Sequence, residues 1–289
     1  MSSSRHPALP VLALAMGLNA CETRPVTEPP IAGPQFITYG AIDEDDTYDN
    51  VGAFIVQSPT TGQIFPICSG TLLSSTVFLT AAHCTAAYLM ELAPLGWEVF
   101  VSFSSPIGFG ALTSHQTKLV AVTDVITNPF YSRSQDDSGD IGVLILSGHG
   151  TRGITPAALP TAGLLDQLAA TGGLKSAVFT VVGYGVQNRV VGGGVPYFQD
   201  MNPIPRMYAL SSFNALGPGY LRLSQNPAKG DGGSCFGDSG GPNFLPVNGT
   251  RVLVATTVAG DLACRSTSVN HRLDTASARA FLSRFVALP

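Results

Sequence analysis

The chain predicts an all-β fold of two six-stranded antiparallel barrels followed by one C-terminal α-helix, and three observations predict it. Short segments rich in β-branched and aromatic residues follow one another in two runs, most of them bounded by Gly, Pro, Ser or Asn. Composition agrees, since 12% of the 289 residues are charged and 45% hydrophobic, while 32 Gly and 21 Pro imply many turns. Near the end the apolar spacing changes to that of a helix. A chain of this length can bury real cores. Its formal charge of −4 and the absence of any Lys/Arg cluster exclude a nucleic-acid partner.

Residues 1–20 carry Arg5 and His6 and then an apolar stretch, Ala8 to Leu18, broken by Pro10. The stretch is too short to cross a bilayer as a mature helix and has the layout of an export signal. It ends Leu18-Asn19-Ala20-Cys21, which is similar to the bacterial lipobox, with Asn19 departing from the usual small or β-branched residue. Acylation of Cys21, and with it membrane anchoring at a bacterial cell envelope, is the expectation. The alternative is a secreted chain in which Cys21 is removed or unpaired. Residues 21–36 hold Pro25, Pro29, Pro30 and Pro34 without an apolar period, and read as an extended tether or a propeptide.

From residue 37 onward the folded part is expected. An acidic cluster, Asp43, Glu44, Asp45 and Asp46, lacks the spacing of a calcium loop and is read as solvated. The first run of strands is Val51 to Gln57, Ile64 to Cys68, Thr71 to Leu73, Val77 to Thr80, Trp97 to Phe103, Lys118 to Ile126 and Ile141 to Leu146. A Gly- and Pro-rich stretch then separates a first barrel of about 37–150 from a second of about 151–273. The second run is Ala177 to Val182, Arg206 to Phe213, Tyr220 to Ser224, Asn243 to Leu245, Arg251 to Val258 and Ser268 to Leu273. Asp274 is expected to cap a helix over 274–288, with Ala278, Phe281, Leu282 and Phe285 at helical spacing.

Chemistry concentrates in three stretches. Gly237-Asp238-Ser239-Gly240-Gly241-Pro242 surrounds one serine with glycines, so the backbone can turn tightly and aim successive amides at one point. A Gly-rich surface turn would share this composition. The other two stretches are Thr80-Ala81-Ala82-His83-Cys84, after an apolar run, and Asp140 at the head of the apolar Ile141 to Leu146. Together they supply a nucleophile, a base and a carboxylate in the order His, Asp, Ser.

With these motifs in hand the chain resembles the trypsin and chymotrypsin-like serine proteases over about residues 37–288. The resemblance implies a chymotrypsin-like fold and a serine endopeptidase that cleaves proteins or peptides through an acyl-enzyme. Ser239 is then the nucleophile, His83 the general base and acid, and Asp140 the group that orients the imidazole. The amides of Gly237 and Ser239 form the oxyanion hole. It also implies disulfides Cys68 with Cys84 and Cys235 with Cys264, which need an oxidising compartment. No metal or cofactor is called for, and a monomer is expected. A non-catalytic binding module on the same fold and an esterase using the same three residues are the competing readings.

The resemblance further places a substrate-binding pocket around Gly233, Ser234, Phe236, Val258 and Gly260. Where trypsin-like members have an aspartate, this chain has Gly233, so tryptic specificity is not expected and an uncharged residue before the scissile bond is. Asp231 lies two residues upstream and Asp261 follows Gly260 near the opposite wall, and either restores some basic preference only if the local alignment slips; His271 is read as a structural histidine. Val258 and Ala259 stand where the family has a Ser and an aromatic residue. Activation by cleavage after Phe36 is expected, with the freed Ile37 amine paired to Asp238.

Overall fold

The computed structural model describes residues 37–108, 117–132, 134–186, 188–190, 197–199 and 202–289. The export signal, Cys21 and the Pro-rich tether lie outside the described residues. In chain order the elements are β1 (Ala41–Ile42), β2 (Val51–Gln57), β3 (Ile64–Ser74), β4 (Val77–Thr80), α1 (Ala82–Ala87), β5 (Glu98–Ser102), β6 (Val120–Thr127) and β7 (Gly142–Leu146). There follow α2 (Leu164–Ala170), β8 (Val178–Gly183), β9 (Asn188–Val190), β10 (Tyr197–Gln199), β11 (Met207–Leu216) and β12 (Tyr220–Ser224). The chain ends with β13 (Pro242–Val247), β14 (Thr250–Gly260), β15 (Thr267–Arg272) and α3 (Ala276–Leu282).

Strands β2-β3-β4-β7-β6-β5 close into one barrel, with β2 pairing β5 to complete it. The second barrel runs β11-β12-β15-β14-β13-β8 and closes through β8 on β11. All of these pairings are antiparallel, and a short β9–β10 hairpin stands beside them. Two features depart from the expected element list. The segments Ile64 to Cys68 and Thr71 to Leu73 are one continuous strand, β3, because Ser69 and Gly70 stay in register with Ala53 and Gly52. Although the first barrel was expected to start near residue 37, β1 pairs with β11, so this segment joins the second.

Each barrel has its own apolar filling, Phe54, Leu72, Phe78, Val101 and Leu144 in the first, and Phe179, Val181, Leu221, Leu223 and Val254 in the second. Full burial of each such side chain contributes about 1.5–3 kcal/mol. A third cluster joins the barrels: Val51, Leu79 and Val143 meet Val182, Phe244 and Leu253, and Phe281 and Leu282 of α3 close over it. The C-terminal helix thus docks by the apolar face its sequence displays.

Its cap is not the expected one. Thr275, with extended backbone, accepts from the Ala278 N–H, so the regular helix begins one residue later than an Asp274 cap would set it. Asp274 is instead buried, where it takes Arg272 Nε at 2.9 Å and the Leu165 N–H at 2.8 Å.

The acidic cluster is likewise not simply solvated. Asp43 is buried and accepts from Arg206 Nε at 2.7 Å, while Asp46 accepts from Arg206 Nη2 at 2.6 Å. Arg206 is fully buried and its Nη1 donates to the carbonyls of Val51 and Phe103 and to the Tyr184 hydroxyl. A guanidinium out of water needs this many acceptors, which is why a carboxylate follows it inside.

Candidate active site

Strand β4 ends at Thr80 and α1 begins at Ala82, so the first turn of that helix carries His83. Asp140 lies just before β7, whose register against β4 pairs Gly142 with Thr80. That register brings the two side chains together. Asp140 Oδ1 accepts the His83 backbone N–H at 2.9 Å, and Oδ2 sits 2.9 Å from His83 Nδ1. Asp140 is largely buried and His83 about one-third exposed, so the ring has one end fixed and the other open to solvent. Among the described residues no other donor reaches the Asp140 carboxylate. Val258 lines the cavity beside it with methyl groups.

The Ser239 loop comes from the second barrel and is held by the first. Ser69 of β3 donates its backbone N–H to the Ser239 carbonyl at 2.8 Å and its hydroxyl to the Gly237 carbonyl at 3.0 Å. Ser69 Oγ also accepts the Tyr184 N–H, and the Ser69 carbonyl accepts from Thr80 Oγ1, two residues before α1. Sequence reasoning missed this serine, although it lies next to Cys68. Gly240 has φ +85°, and a Cβ there would fall 2.2 Å from Thr80 Oγ1 and 2.8 Å from the Ala81 nitrogen. Only glycine lets the residue after Ser239 approach the His83 turn so closely. Cys84, the next residue after His83, has its sulfur 3.9 Å from the Ser239 carbonyl oxygen.

Backbone direction across the serine is set by neighbours. The Phe236 carbonyl accepts from Val186 N–H at 2.7 Å, so the Gly237 N–H of the same peptide points the other way. Gly237 takes φ +93°, a left-handed conformation. Among the described residues, neither the Gly237 nor the Ser239 N–H donates to a protein acceptor. These two amides, one on each side of Asp238, are left available to an acceptor from outside the chain.

Beneath them, Asp238 is fully buried and accepts from Gly185 N–H and Cys235 N–H, each at 2.8 Å. Burial pushes its carboxyl up from 3.8 to about 7, against these two N–H groups, which favour the ionised form. Its Oδ1 lies where a Cβ on Gly183 would be. Gly183 registers with Met207, and Ile37 packs against Met207 and Ala209. Thr38 fixes the same segment, since its carbonyl accepts the Gly233 N–H and its hydroxyl donates to the Gly233 carbonyl. Asp238 thus lies against β8 at Gly183, and Ile37 against β11 at Met207, the residue paired with Gly183.

The disulfides are Cys68–Cys84 and Cys235–Cys264. Their presence fits an oxidising compartment. The ring of His83 lies within 4.8 Å of the Cys68 and Cys84 sulfurs. Both sulfurs are spent in the disulfide, so this grouping offers no thiolate to a metal.

A cavity of about 220 Å³ opens beside Ser239 and is lined by Ser234, Phe236, Val258, Gly260 and Leu262 among others. Gly233 is not part of the lining, because Gln225 stands against it. Of the two nearby carboxylates, Asp231 is outside the lining and Asp261 belongs to it. Asp231 accepts from the N–H and hydroxyl of Ser212. Asp261 lies at the cavity, where burial raises its pKa, but the N–H groups of Thr267, Ser266, Arg265 and Ala263 prevail and hold it below the usual value. On the other side of Val258 and Ala259 is a second cavity of about 580 Å³, lined also by Asp140, Tyr131, Tyr220 and Arg222.

His271 is buried on β15. Its Nδ1 is 3.0 Å from the Arg272 carbonyl and its Nε2 2.9 Å from Asp137 Oδ1. The His271 hydrogen bond, aided by Ser277 and the Gly139 N–H against the effect of burial, holds Asp137 well below the usual carboxylate range. This histidine braces the loop that carries Asp140.

Two crossed barrels with a His–Asp pair and a glycine-flanked serine at their seam define the chymotrypsin-like class of fold. The family model described as Trypsin matches residues 42–276, and the chain belongs to that family. It is 27% identical over 217 residues to vitamin K-dependent protein C of Rattus norvegicus, covering 67% of this chain and 40% of that protein. It is 28% identical over 278 residues to serine protease filzig of Drosophila melanogaster, covering 91% of this chain and 15% of that protein. The chain thus spans well under half the length of either relative.

Proposed function

We propose that the protein is an exported serine endopeptidase acting through Ser239, His83 and Asp140. The observation that carries this is the His83–Asp140 pair on a segment that packs against the Ser239 turn through Gly240 and Cys84, together with the two amides of that turn that have no protein acceptor among the described residues. Ser239 Oγ attacks the carbonyl carbon of the scissile bond as His83 Nε2 takes its proton. Asp140 accepts the Nδ1–H, fixing the tautomer and stabilising the imidazolium. The N–H groups of Gly237 and Ser239 hold the tetrahedral oxyanion. Collapse breaks the C–N bond, and His83 returns the proton to the leaving amine. Water then attacks the acyl-enzyme by the same route in reverse, and Ser239 regains its proton.

The cavity beside Ser239 receives the side chain before the scissile bond. Position 233, a glycine here, puts no carboxylate at the cavity, and Asp261 on its wall is held by the N–H groups of its own loop, an arrangement we read as favouring an uncharged side chain. The protein is made with a signal and held at a bacterial envelope by acylated Cys21. Cleavage after Phe36 frees the Ile37 amine to pair with Asp238, and the same cut severs the tether. It acts as a monomer on protein or peptide substrates.

Mass spectrometry of the protein from its native host, with and without a fluorophosphonate probe, tests this. An adduct on Ser239 in a chain beginning at Ile37 is expected. A chain that starts at Ile37 yet takes no label would sink the hydrolase reading.

A further inference from the structure

We propose that Arg222 makes the larger cavity, the one beside Asp140, a receptor for an acidic side chain of the substrate at the second or fourth residue before the scissile bond. The proposal rests on the hydrolase reading above and deepens it, adding a substrate class at a cavity other than the one beside Ser239.

The sheet itself sets up the site. β13 pairs with β14 only as far as Thr256, and Thr257 is bonded to Gly240 and Gly241. From Val258 to Gly260, β14 therefore has β15 on one side and, among the described residues, no strand on the other. Such an edge takes an extended peptide as an added strand. Val258 and Ala259 stand in the walls of both the cavity beside Ser239 and the larger one of about 580 Å³. Side chains of an extended peptide alternate between faces. When the residue before the scissile bond enters the first cavity, the second and fourth residues turn toward the other.

Strand register brings Arg222 into that second cavity. Ala259 pairs with Val269, Val269 with Arg222, and Arg222 with Ala215. Residues paired directly across strands project from the same face, so these four side chains form one row. Ala259, Val269 and Arg222 all line the cavity, and a Cβ on Gly217, another of its walls, would stand 3.7 Å from Arg222 Nη1. An aromatic side chain at position 259 would lie over Val269 and cover this end of the row, whereas alanine leaves it open. Arg222 is partly buried, and among the described residues its guanidinium has no hydrogen-bond or ion-pair partner. Arg206 and Arg272, by contrast, are each held by two carboxylates.

A partly buried guanidinium has given up some of its hydration and still offers a planar fork that matches a carboxylate. Two carboxylates share the cavity without meeting it. Asp140 spends its oxygens on the His83 N–H and ring, and Asp136 is exposed, where water and salt screen it. Among the described residues Arg222 is the one cation in the lining. A substrate carboxylate completes the pair that the chain leaves unmade. A neutral amide of the same shape gains only an ordinary hydrogen bond, and a Lys sets cation against cation.

The full chain, cut at Ile37, is to be tested with peptides that share a reference sequence and carry Glu, Gln or Lys at the second, third or fourth residue before the scissile bond. Glu is expected to exceed Gln by about tenfold in kcat/KM at the second or fourth position, with Lys lowest, and to equal Gln at the third. The preference should shrink as salt is added. Arg222→Gln is expected to erase it, and Arg222→Glu to reverse it in favour of Lys. Ala259→Trp leaves Arg222 in place but fills the cavity, so it should also erase the preference, and it serves if the Arg222 variants do not fold. A wild-type enzyme that treats Glu and Gln alike at both positions overturns the proposal. So does a preference confined to the third position, or one that survives Arg222→Gln in a folded, probe-labelled variant. Fluorophosphonate labelling keeps the failures apart. A labelled enzyme that cleaves the reference peptide without this ranking sinks only the role of Arg222. One that takes no label sinks the hydrolase reading and this proposal together.

Discussion

Cleavage after Phe36 should change the pH dependence of stability, and the size of the change follows from Asp238. In the uncut chain this carboxyl is buried with N–H partners only, and its pKa stands near 7 instead of 3.8. A raised carboxyl pKa means that the folded chain binds the proton more tightly than the unfolded one. Uncut, the protein therefore loses stability as pH rises from about 4 to about 7, by roughly 4 kcal/mol in all. Roughly 3 kcal/mol of this falls between pH 5 and 8. Once Ile37 is a free amine, an ammonium beside Asp238 keeps the carboxylate ionised and removes that loss. The pair's own contribution persists below the amine's unfolded pKa and fades as pH rises through its folded value. Thermal unfolding of the two forms at pH 5, 6, 7 and 8 measures the difference. The cut form is expected to gain on the uncut one by about 6–12 °C in Tm across that range. Parallel Tm curves for the two forms would refute the pairing.

Three further outcomes are expected. Ser239→Ala and His83→Ala should each lower peptide kcat/KM by roughly 10⁴-fold or more while leaving Tm nearly unchanged, as read by steady-state kinetics beside calorimetry. Arg206→Met leaves Asp43 buried without its cation and should cost about 3–5 kcal/mol in urea unfolding, with Asp43→Asn in the same chain returning part of it. Asp137 is held below its ordinary range, so its share of stability is full above the unfolded carboxylate pKa and is lost as pH falls. Asp137→Asn should therefore flatten the acid limb of the Tm profile and lower Tm at neutral pH, by about 1–3 kcal/mol in stability.

What the sequence made legible was local. Strands with alternating or continuous apolar character, such as Val51–Gln57, Val77–Thr80 and Tyr220–Ser224, carry their signal within a few residues, and their bounds agree with the reading. The three glycine-flanked or strand-end motifs were legible for the same reason. Long-range pairings were not. Arg206 meets Asp43 across 163 residues and His271 meets Asp137 across 134, and no local pattern records either. Asp274 looked like a cap because carboxylates favour that position, yet Arg272 two residues earlier claimed it first. The helix α2 was passed over inside a Gly- and Pro-rich stretch, although Leu164, Leu165 and Leu168 have helical spacing. Gln225 had no signal at all, since a lone glutamine after a strand is ordinary until its buried partners are known.

Each disulfide closes within a single barrel, Cys68–Cys84 in the first and Cys235–Cys264 in the second. Apart from the polypeptide itself, the described halves are united by packing and by hydrogen bonds such as those of Ser69. A single nick in the connecting stretch before α2 would thus yield two separately cross-linked pieces, each carrying part of the proposed catalytic set. His83 and Asp140 would stay on one piece and Ser239 on the other. Fragment complementation in this protein becomes a direct readout of barrel docking, with peptide hydrolysis reporting reassembly.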